Sequence, residues 1–515
     1  MTRKFVTSGI SAYSGNFGKQ EAKHLLNRAL FGGKQSEIDF FATKTLNEAV
    51  TALLDENEPS CVPPVTNSDF DNVEETAAYG TTWVNEGNTG DGAGRVDSLT
   101  AWWAGEMIEQ NATLKEKMGL FFFNHIPVNR DTYHRIAYYE YVEYFKENYM
   151  GNLKDILKHI CIDWAMLKFL NGNENNADAP NENFGRELLE LFTIGKGPQI
   201  GDGDYTHYNE DDVKAAAKVM TGWKIDWNTG TSHFISNKHD KTQKKFSAAL
   251  SGATIDNNEE LEFTDLIDML FLQKECARFF CRKLYRFFVH YHIDDTIEAN
   301  IIEPLATILH DGGYELKPVY ETLFQSEHFF DINIQGGLIK NPLELHVGSI
   351  RKMQMVIPTK AEVDKRYLLL KREVYWVSTG MGLELGNPPS VAGWAPYYSA
   401  PSFHRLWINS VTYPTRQWSA LAQVYGYSKT VENVTYSYGL NIEHMKSVIQ
   451  DITSTESIVR GLTELLLPTT VPNDAIGPLM VAYDEYRNWA TDKTIDDHIT
   501  ALIQKILIMP EYQLS

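Results

Sequence analysis

Cysteine is scarce in this chain, with four in 515 residues. Cys61, Cys161, Cys276 and Cys281 include no C-x-x-C pair, and the last two, five apart on a predicted helix, point about 140° apart around its axis. A structural zinc site and a disulfide framework are therefore not expected. Long hydrophobic runs are missing too: no stretch approaches the eighteen apolar residues of a membrane span. The first thirty residues, beginning Met1-Thr2-Arg3-Lys4-Phe5, lack the apolar core of a signal peptide, so the sequence reads as soluble and cytoplasmic. Positive charge is in short supply, with 47 Lys and Arg against 68 Asp and Glu, a net charge of −21. That argues against a nucleic-acid backbone or an anionic lipid surface as partner, since both need clustered cations. Standard catalytic signatures are absent as well. There is no G-x-x-x-x-G-K-[ST] loop, no G-x-G-x-x-G, no H-E-x-x-H and no G-x-S-x-G, which removes the common nucleotide, zincin and α/β-hydrolase chemistries.

What is present is helical periodicity. Apolar residues make up 43% of the chain and aromatics 12%, a globular composition. They recur at three- and four-residue spacing over Gln20 to Phe31, Ser98 to Gln110, Leu114 to His125, Asp131 to Tyr149 and Leu153 to Leu170. The pattern resumes over Asp211 to Trp223, Thr264 to Phe288, Asp295 to Leu309, Lys317 to Gln325, Leu343 to Met355, Arg405 to Tyr425 and Thr494 to Met509. Period-two alternation is nearly missing, with Thr435 to Tyr438 the nearest candidate strand. The expected fold is all-α: a large multi-helix orthogonal bundle with long irregular loops and at most minor β structure. A soft division separates an N-terminal helical half, residues 1–259, from a C-terminal half, residues 260–515, the two sharing one core. Three irregular stretches interrupt the helices: Asp55 to Arg95, Asn228 to Asn258, and Gly386 to Ser402, whose prolines forbid continuous helix.

Candidate functional residues fall into a few groups. In Pro180 to Thr193, a helix capped by Asn181 places Glu182, Arg186 and Glu190 along one side, with Asn183 and Glu187 beside them. Phe184, Leu188 and Leu191 face the other way. Such a ladder is either a solvated face laced by pairs worth about 0.2–0.5 kcal/mol each or a polar site. His24 and Arg28 stand one turn apart on an early helix. His125 lies on the apolar stripe of its helix, where its ring needs a partner, as a satisfied core residue or as a ligand or base. His239-Asp240 sits in a polar stretch followed by Lys244. Lys340-Asn341-Pro342-Leu343-Glu344 opens a helix. The acidic run Asp202, Asp204, Glu210, Asp211, Asp212 fails as an EF-hand, because position twelve is Val213 where Glu is required, so it reads as a loop into a helix capped near Asn209.

Taken in order, these pieces resemble the bacterial family known as domain of unknown function 1800. The matching segments are His24-Leu25-Leu26-Asn27-Arg28 with Phe31-Gly32; Asn124-His125; Asp163 with Met166-Leu167; Pro180 to Gly195; and Asp212-Val213 through Thr221-Gly222-Trp223. They continue through His239-Asp240, Arg282 to Val289, Lys340 to Glu344, Pro388 to Trp394 and Pro510-Glu511-Tyr512. Gln273-Lys274 stands where the family often has His-Pro, and the secretion signal common among relatives is missing. The resemblance implies a predominantly helical fold and no established activity. It also implies a possible partner, since genes of this family often lie beside those of sulfatase-like proteins.

Two readings follow, from different classes. In one, distant motifs converge on a polar cleft where His125, Glu187 and Glu190 hold a divalent metal or, with His239 and Asp240, do acid-base work. Arg28, Arg186 and Lys340 then orient an anionic group, Trp394 walls the pocket, and His24, Asn181, Glu182 and Glu344 complete the binding surface. Such an enzyme would be a metal-assisted hydrolase or a modifying enzyme. In the other, the chain is a non-catalytic scaffold or maturation partner of a sulfatase-like protein, and its charges pair with one another to fix helix register.

Overall fold

Helix dominates the computed structural model, which describes residues 8–55, 57, 61–68, 77–85, 92–130, 134–201, 204–431 and 433–515. The helices that position the candidate site are α1 (Lys19–Ala29), α2 (Lys115–His125), α3 (Glu182–Glu187), α4 (Glu210–Val219), α5 (Lys274–Phe288), α6 (Pro342–Lys352), α7 (Thr412–Tyr425) and α8 (Ile495–Leu507). Strands are confined to short antiparallel pairs, among them Trp223–Asp226 with Thr231–Phe234 and Tyr427–Val431 with Val434–Tyr438. The second hairpin contains the expected strand at Thr435 to Tyr438. The first opens at the edge of the polar stretch Asn228 to Asn258, where no alternation announced it. Its turn is made by the Asp226 carboxylate, which accepts from the Asn228 amide at 2.9 Å, and by Gly230 at φ 69°.

Several predicted helices are broken where a polar side chain captures the backbone. The periodic run Leu153 to Leu170 divides into Leu153–Ile162 and Trp164–Phe169 because Asp163 caps the second helix, accepting from the amides of Ala165 and Met166 at 2.9 and 3.1 Å. The run Thr264 to Phe288 also divides, at Phe271-Leu272-Gln273, without a side-chain cap. The helix expected from Arg405 begins at Thr412, after an Asn409 side chain that accepts from the amides of Val411 and Thr412. Asp131, the expected start of another helix, and Asp202 of the acidic run lie outside the described residues, as does part of Asp55 to Arg95.

One hydrophobic cluster runs from Ala22 on α1 to Tyr512 near the C terminus and takes residues from both sides of position 260. Within it α2 is buried along its whole length, and α6 likewise. Both nevertheless carry charged residues, so the core encloses charge. A close approach brings the end of α1 onto α6. Gly32 has φ 92°, and a Cβ there would stand 3.1 Å from the Gly348 Cα. Only glycine at both positions permits this contact. All four cysteines are free, and no helix among the described residues is long and apolar enough to cross a membrane.

Candidate functional site

The acidic helix that dominates the sequence forms a surface ladder. Arg186 donates both terminal nitrogens to Glu210 at 2.7 Å and also reaches Glu182 at 3.1 Å. Glu190 pairs with Lys196 at 2.6 Å and accepts from the Tyr208 hydroxyl at 3.0 Å. Asn181 caps α3 through the Asn183 amide. Burial, reinforced by the neighbouring Glu190, raises the Glu187 carboxyl above its ordinary range. Past Glu187 the helix widens into a π-turn over Leu188–Thr193. Behind it lies His125, whose Nδ1 stands 3.0 Å from the Lys283 ammonium, and Lys283 also donates to the Leu191 carbonyl at 3.0 Å. Burial, then repulsion from Arg286, brings Lys283 down to about 7. Burial and Lys283 hold His125 well below its usual value. No group of three His, Cys, Asp or Glu suited to a metal ion occurs among the described residues.

His239 and Asp240 are likewise engaged, in a separate network. The His239 ring contacts Glu262 at 2.9 Å through Nε2 and the Thr221 carbonyl at 2.9 Å through Nδ1. Lys244 completes a buried triad with Glu262 at 2.5 Å, and Asp240 binds Thr242 and the Thr221 hydroxyl. These bonds fasten the polar stretch to the base of α4. His24 is similarly committed: its Nε2 lies 2.9 Å from the Phe329 carbonyl, and burial brings its pKa to about 3. Trp394 is buried at the end of α2, where its amide donates to the Asn124 side chain at 2.9 Å. Gly393 beside it, at φ 89°, leaves no room for a Cβ, which would meet the Asn124 carbonyl at 2.4 Å.

Arg28, Lys340 and Glu344 do come together, and around them the structure has cavities. On α6, Glu344, Gly348 and Lys352 occupy one stripe at four-residue spacing, facing Lys23, Asn27 and Arg28 of α1. Glu344 accepts from the Asn341 amide at 2.9 Å and pairs with Lys117 of α2, whose ammonium is fully buried. Burial alone would raise the Glu344 carboxyl, but Lys117, Arg28 and the Asn341 amide outweigh it and hold the acid below its ordinary range. Burial lowers Lys117 to about 8 against the pull of Glu344. Arg28 donates to the Phe287 and Phe288 carbonyls at 2.9 Å and to Ser515 Oγ.

On one side of Glu344 is a cleft of about 20 Å³ with Arg28, Asn341 and Tyr397 at its floor and Arg286 and His404 among its walls. Tyr397 accepts from the Asn341 side chain at 3.0 Å, which leaves its own hydroxyl proton to donate. Arg286 lies over the Phe403 ring at 4.9 Å, and its Nε and the His404 Nδ1 are buried without a partner. Burial and Arg282 lower the Arg286 guanidinium, and burial with His290 brings His404 to about 4. Apart from Glu344, whose two oxygens are taken, the polar side chains here are largely donors. An anionic group is the ligand that such a cleft satisfies.

On the other side is a smaller cavity of about 10 Å³, lined by Asn27, Lys340, Glu344 and Lys352. Lys340 donates to the Tyr512 carbonyl at 2.6 Å and sits over the Tyr512 ring. Arg416 on α7 closes this region, bonding to Gln513 and to the Lys340 carbonyl at 2.8 Å. Of the expected binding residues, then, Arg28, Lys340 and Glu344 converge, while Arg186, Asn181 and Glu182 belong to the surface ladder. Lys117, Lys352, Arg286, Tyr397 and His404 were not anticipated. The four-residue spacing of Glu344, Gly348 and Lys352 was a readable signal for one of them; the others meet only through tertiary contact.

No curated protein and no solved structure matches the chain. A family described as "Protein of unknown function (DUF1800)" matches residues 24–514, nearly the whole chain, and the chain belongs to it.

Proposed function

We propose that this protein binds a ligand bearing an oxyanion (a carboxylate, phosphate or sulfate ester) and that the cleft of Arg28, Arg286, Tyr397 and His404 receives that group. The observation that carries this reading is the pair of buried, unpartnered nitrogens on Arg286 and His404 beside the saturated Glu344. Buried polar groups without partners are rare, and each calls for a ligand or a reason. In this reading Arg286 and the Tyr397 hydroxyl donate to the ligand, and Arg28 supplies fixed positive charge at the floor. The Glu344–Lys117 pair holds the floor in register.

Calorimetric titration with phosphate, sulfate and acetate tests it. Binding of at least one should weaken tenfold or more in Arg286→Ala, and remain unchanged in the Glu187→Ala, Glu190→Ala double variant. The opposite pattern, a divalent cation bound stoichiometrically and lost in the double variant with no anion bound, would return the acidic helix to the centre as a metal-assisted hydrolase site.

A second reading is that of a non-catalytic scaffold or maturation partner of a sulfatase-like protein. It is favoured by the paired state of the surface ladder, in which Arg186, Glu182, Glu210, Glu190 and Lys196 satisfy one another. Affinity purification that recovers a sulfatase-like protein with the wild type, but not after the ladder is reversed in charge, would support it.

A further inference from the structure

The smaller cavity carries a charge imbalance that the cleft does not. Lys340 and Lys352 line it, Lys23 is buried one turn before Asn27 on α1, and the acceptors of the three ammonium groups are backbone carbonyls: Glu464 for Lys23 at 2.5 Å, Tyr512 for Lys340 at 2.6 Å and Leu466 for Lys352 at 3.5 Å. Among the described residues none of the three forms an ion pair with a carboxylate, and Glu344, which lines the same cavity, is committed to Lys117 and the Asn341 amide. Buried ammonium groups are expected to be paired, because desolvating an unpaired charge is expensive. Burial lowers all three lysines; repulsion adds to it, from Lys352 on Lys23 and from Lys340 on Lys352, while Glu464 and Glu344 pull Lys23 and Lys340 partly back.

A second observation is independent of charge. Asn27 lies one turn from Lys23 on α1, is 7% exposed, and lines this cavity with both of its amide atoms unpartnered. Its Nδ2 is a donor without an acceptor. Gly32 and Gly348 also line it; a Cβ on Gly32 would meet Lys352 Cε at 3.5 Å and the Gly348 backbone at 3.1 Å. Its volume of about 10 Å³ leaves room for one water or one small ion.

We propose that this cavity is a binding site for a single monovalent anion of halide size, held by the ammonium groups of Lys340 and Lys352 and the Asn27 side-chain amide. Such an ion gives the spare lysine donors and the Asn27 amide a common acceptor and neutralises part of the enclosed positive charge. Lys23, already bonded to the Glu464 carbonyl, contributes at longer range. Oxyanion recognition in the cleft neither requires nor implies this site, because the two are lined by different donors: Arg28, Arg286 and His404 in the cleft, Asn27, Lys340 and Lys352 here.

The test is thermal unfolding of the full chain in sodium chloride and sodium bromide against sodium gluconate at matched ionic strength. Halide should raise the melting temperature in a saturable manner, by ~2–3 °C at a hundredfold excess over Kd for a cooperative chain of this length. Lys352→Met should abolish that rise while melting no lower than wild type in gluconate, since it removes a buried cation lacking a counterion. Crystals soaked in bromide should show an anomalous peak between Asn27 and Lys352. Coincident halide and gluconate curves together with no bromide peak would overturn the proposal, leaving the lysines neutral or matched by the protein's own anion. A halide response that survives in Lys352→Met would overturn it equally. Phosphate or sulfate titration into the cleft remains a separate experiment, so either site can fail alone.

Discussion

The Lys117–Glu344 pair offers the sharpest test of how this core is built. Lys117 is fully buried and Glu344 nearly so, and the Glu344 oxygens have Lys117 and the Asn341 amide as their partners. Replacing Glu344 with Leu strands the ammonium in the core, and removing one member of a buried pair typically costs about 3–5 kcal/mol. Lys117→Met strands the carboxylate instead and should cost a similar amount. The double variant, Lys117→Met with Glu344→Leu, replaces both charges by apolar groups of similar length and should approach neutrality apart from the lost cap on Asn341, worth about 1 kcal/mol. A chain of 515 residues unfolding cooperatively has an entropy of roughly 1.1 kcal/mol/K, so each single change should lower the melting temperature by ~3–5 °C and the pair by ~1 °C. Scanning calorimetry of the four proteins closes the cycle. Single-variant losses below about 1 kcal/mol, or a double variant as unstable as the two losses summed, would refute the claim that these charges exist for each other.

Alkaline stability in halide-free buffer gives a second check. Burial and neighbouring cations lower Lys23 and Lys340 from 10.5 to about 7, so the unfolded chain binds more protons than the folded one between those values. Stability should therefore rise with pH from about 7 toward 10, fall as pH drops through 7, and respond less steeply in Lys340→Met; urea unfolding at several pH values reads the slope. Gly393→Ala should cost more than about 2 kcal/mol, because its φ is positive and its Cβ would meet the Asn124 carbonyl at 2.4 Å; near-wild-type melting would disprove the close approach. Arg186→Ala on the half-exposed ladder should cost no more than about 1 kcal/mol. His239→Ala should destabilise by about 2–4 kcal/mol, since it leaves buried Glu262 short of a partner, yet keep anion affinity in the cleft unchanged; a loss of affinity in a folded His239→Ala protein would contradict the separation of the two networks.

Helical periodicity made the architecture legible, because an amphipathic stripe is a local property and most of these helices bury one face. The breaks were harder to read. Asp163 and Asn409 sit inside periodic runs, and nothing in the period shows that a short polar side chain will take the backbone amides instead of facing water. The site was legible in part. Arg28 stood out on an early helix and Lys340 and Glu344 in the segment that opens another, but Lys117, Arg286 and His404 reach the same region from other elements, and spacing along a chain carries no trace of such meetings. The acidic helix was ambiguous for the opposite reason: carboxylates and an arginine on one side of a helix look alike in sequence whether they ring a ligand or pair at the surface, as Arg186 does with Glu210 and Glu190 with Lys196 and Tyr208.

The π-turn at Leu188–Thr193 bears on how this segment tolerates length change. A π-turn accommodates one residue more than the α-ladder it interrupts, and it shifts the angular phase of everything beyond it. Deleting a single residue between Leu188 and Leu191 should let the strip relax to plain α-helix at little backbone cost. The two ends would then be out of step: with Glu182 and Arg186 held at the surface by Glu210, the Leu191 carbonyl would swing away from Lys283. The extra residue thus acts as a phase adjuster, letting one short helix keep an ionic face outward at its start and present a carbonyl inward at its end.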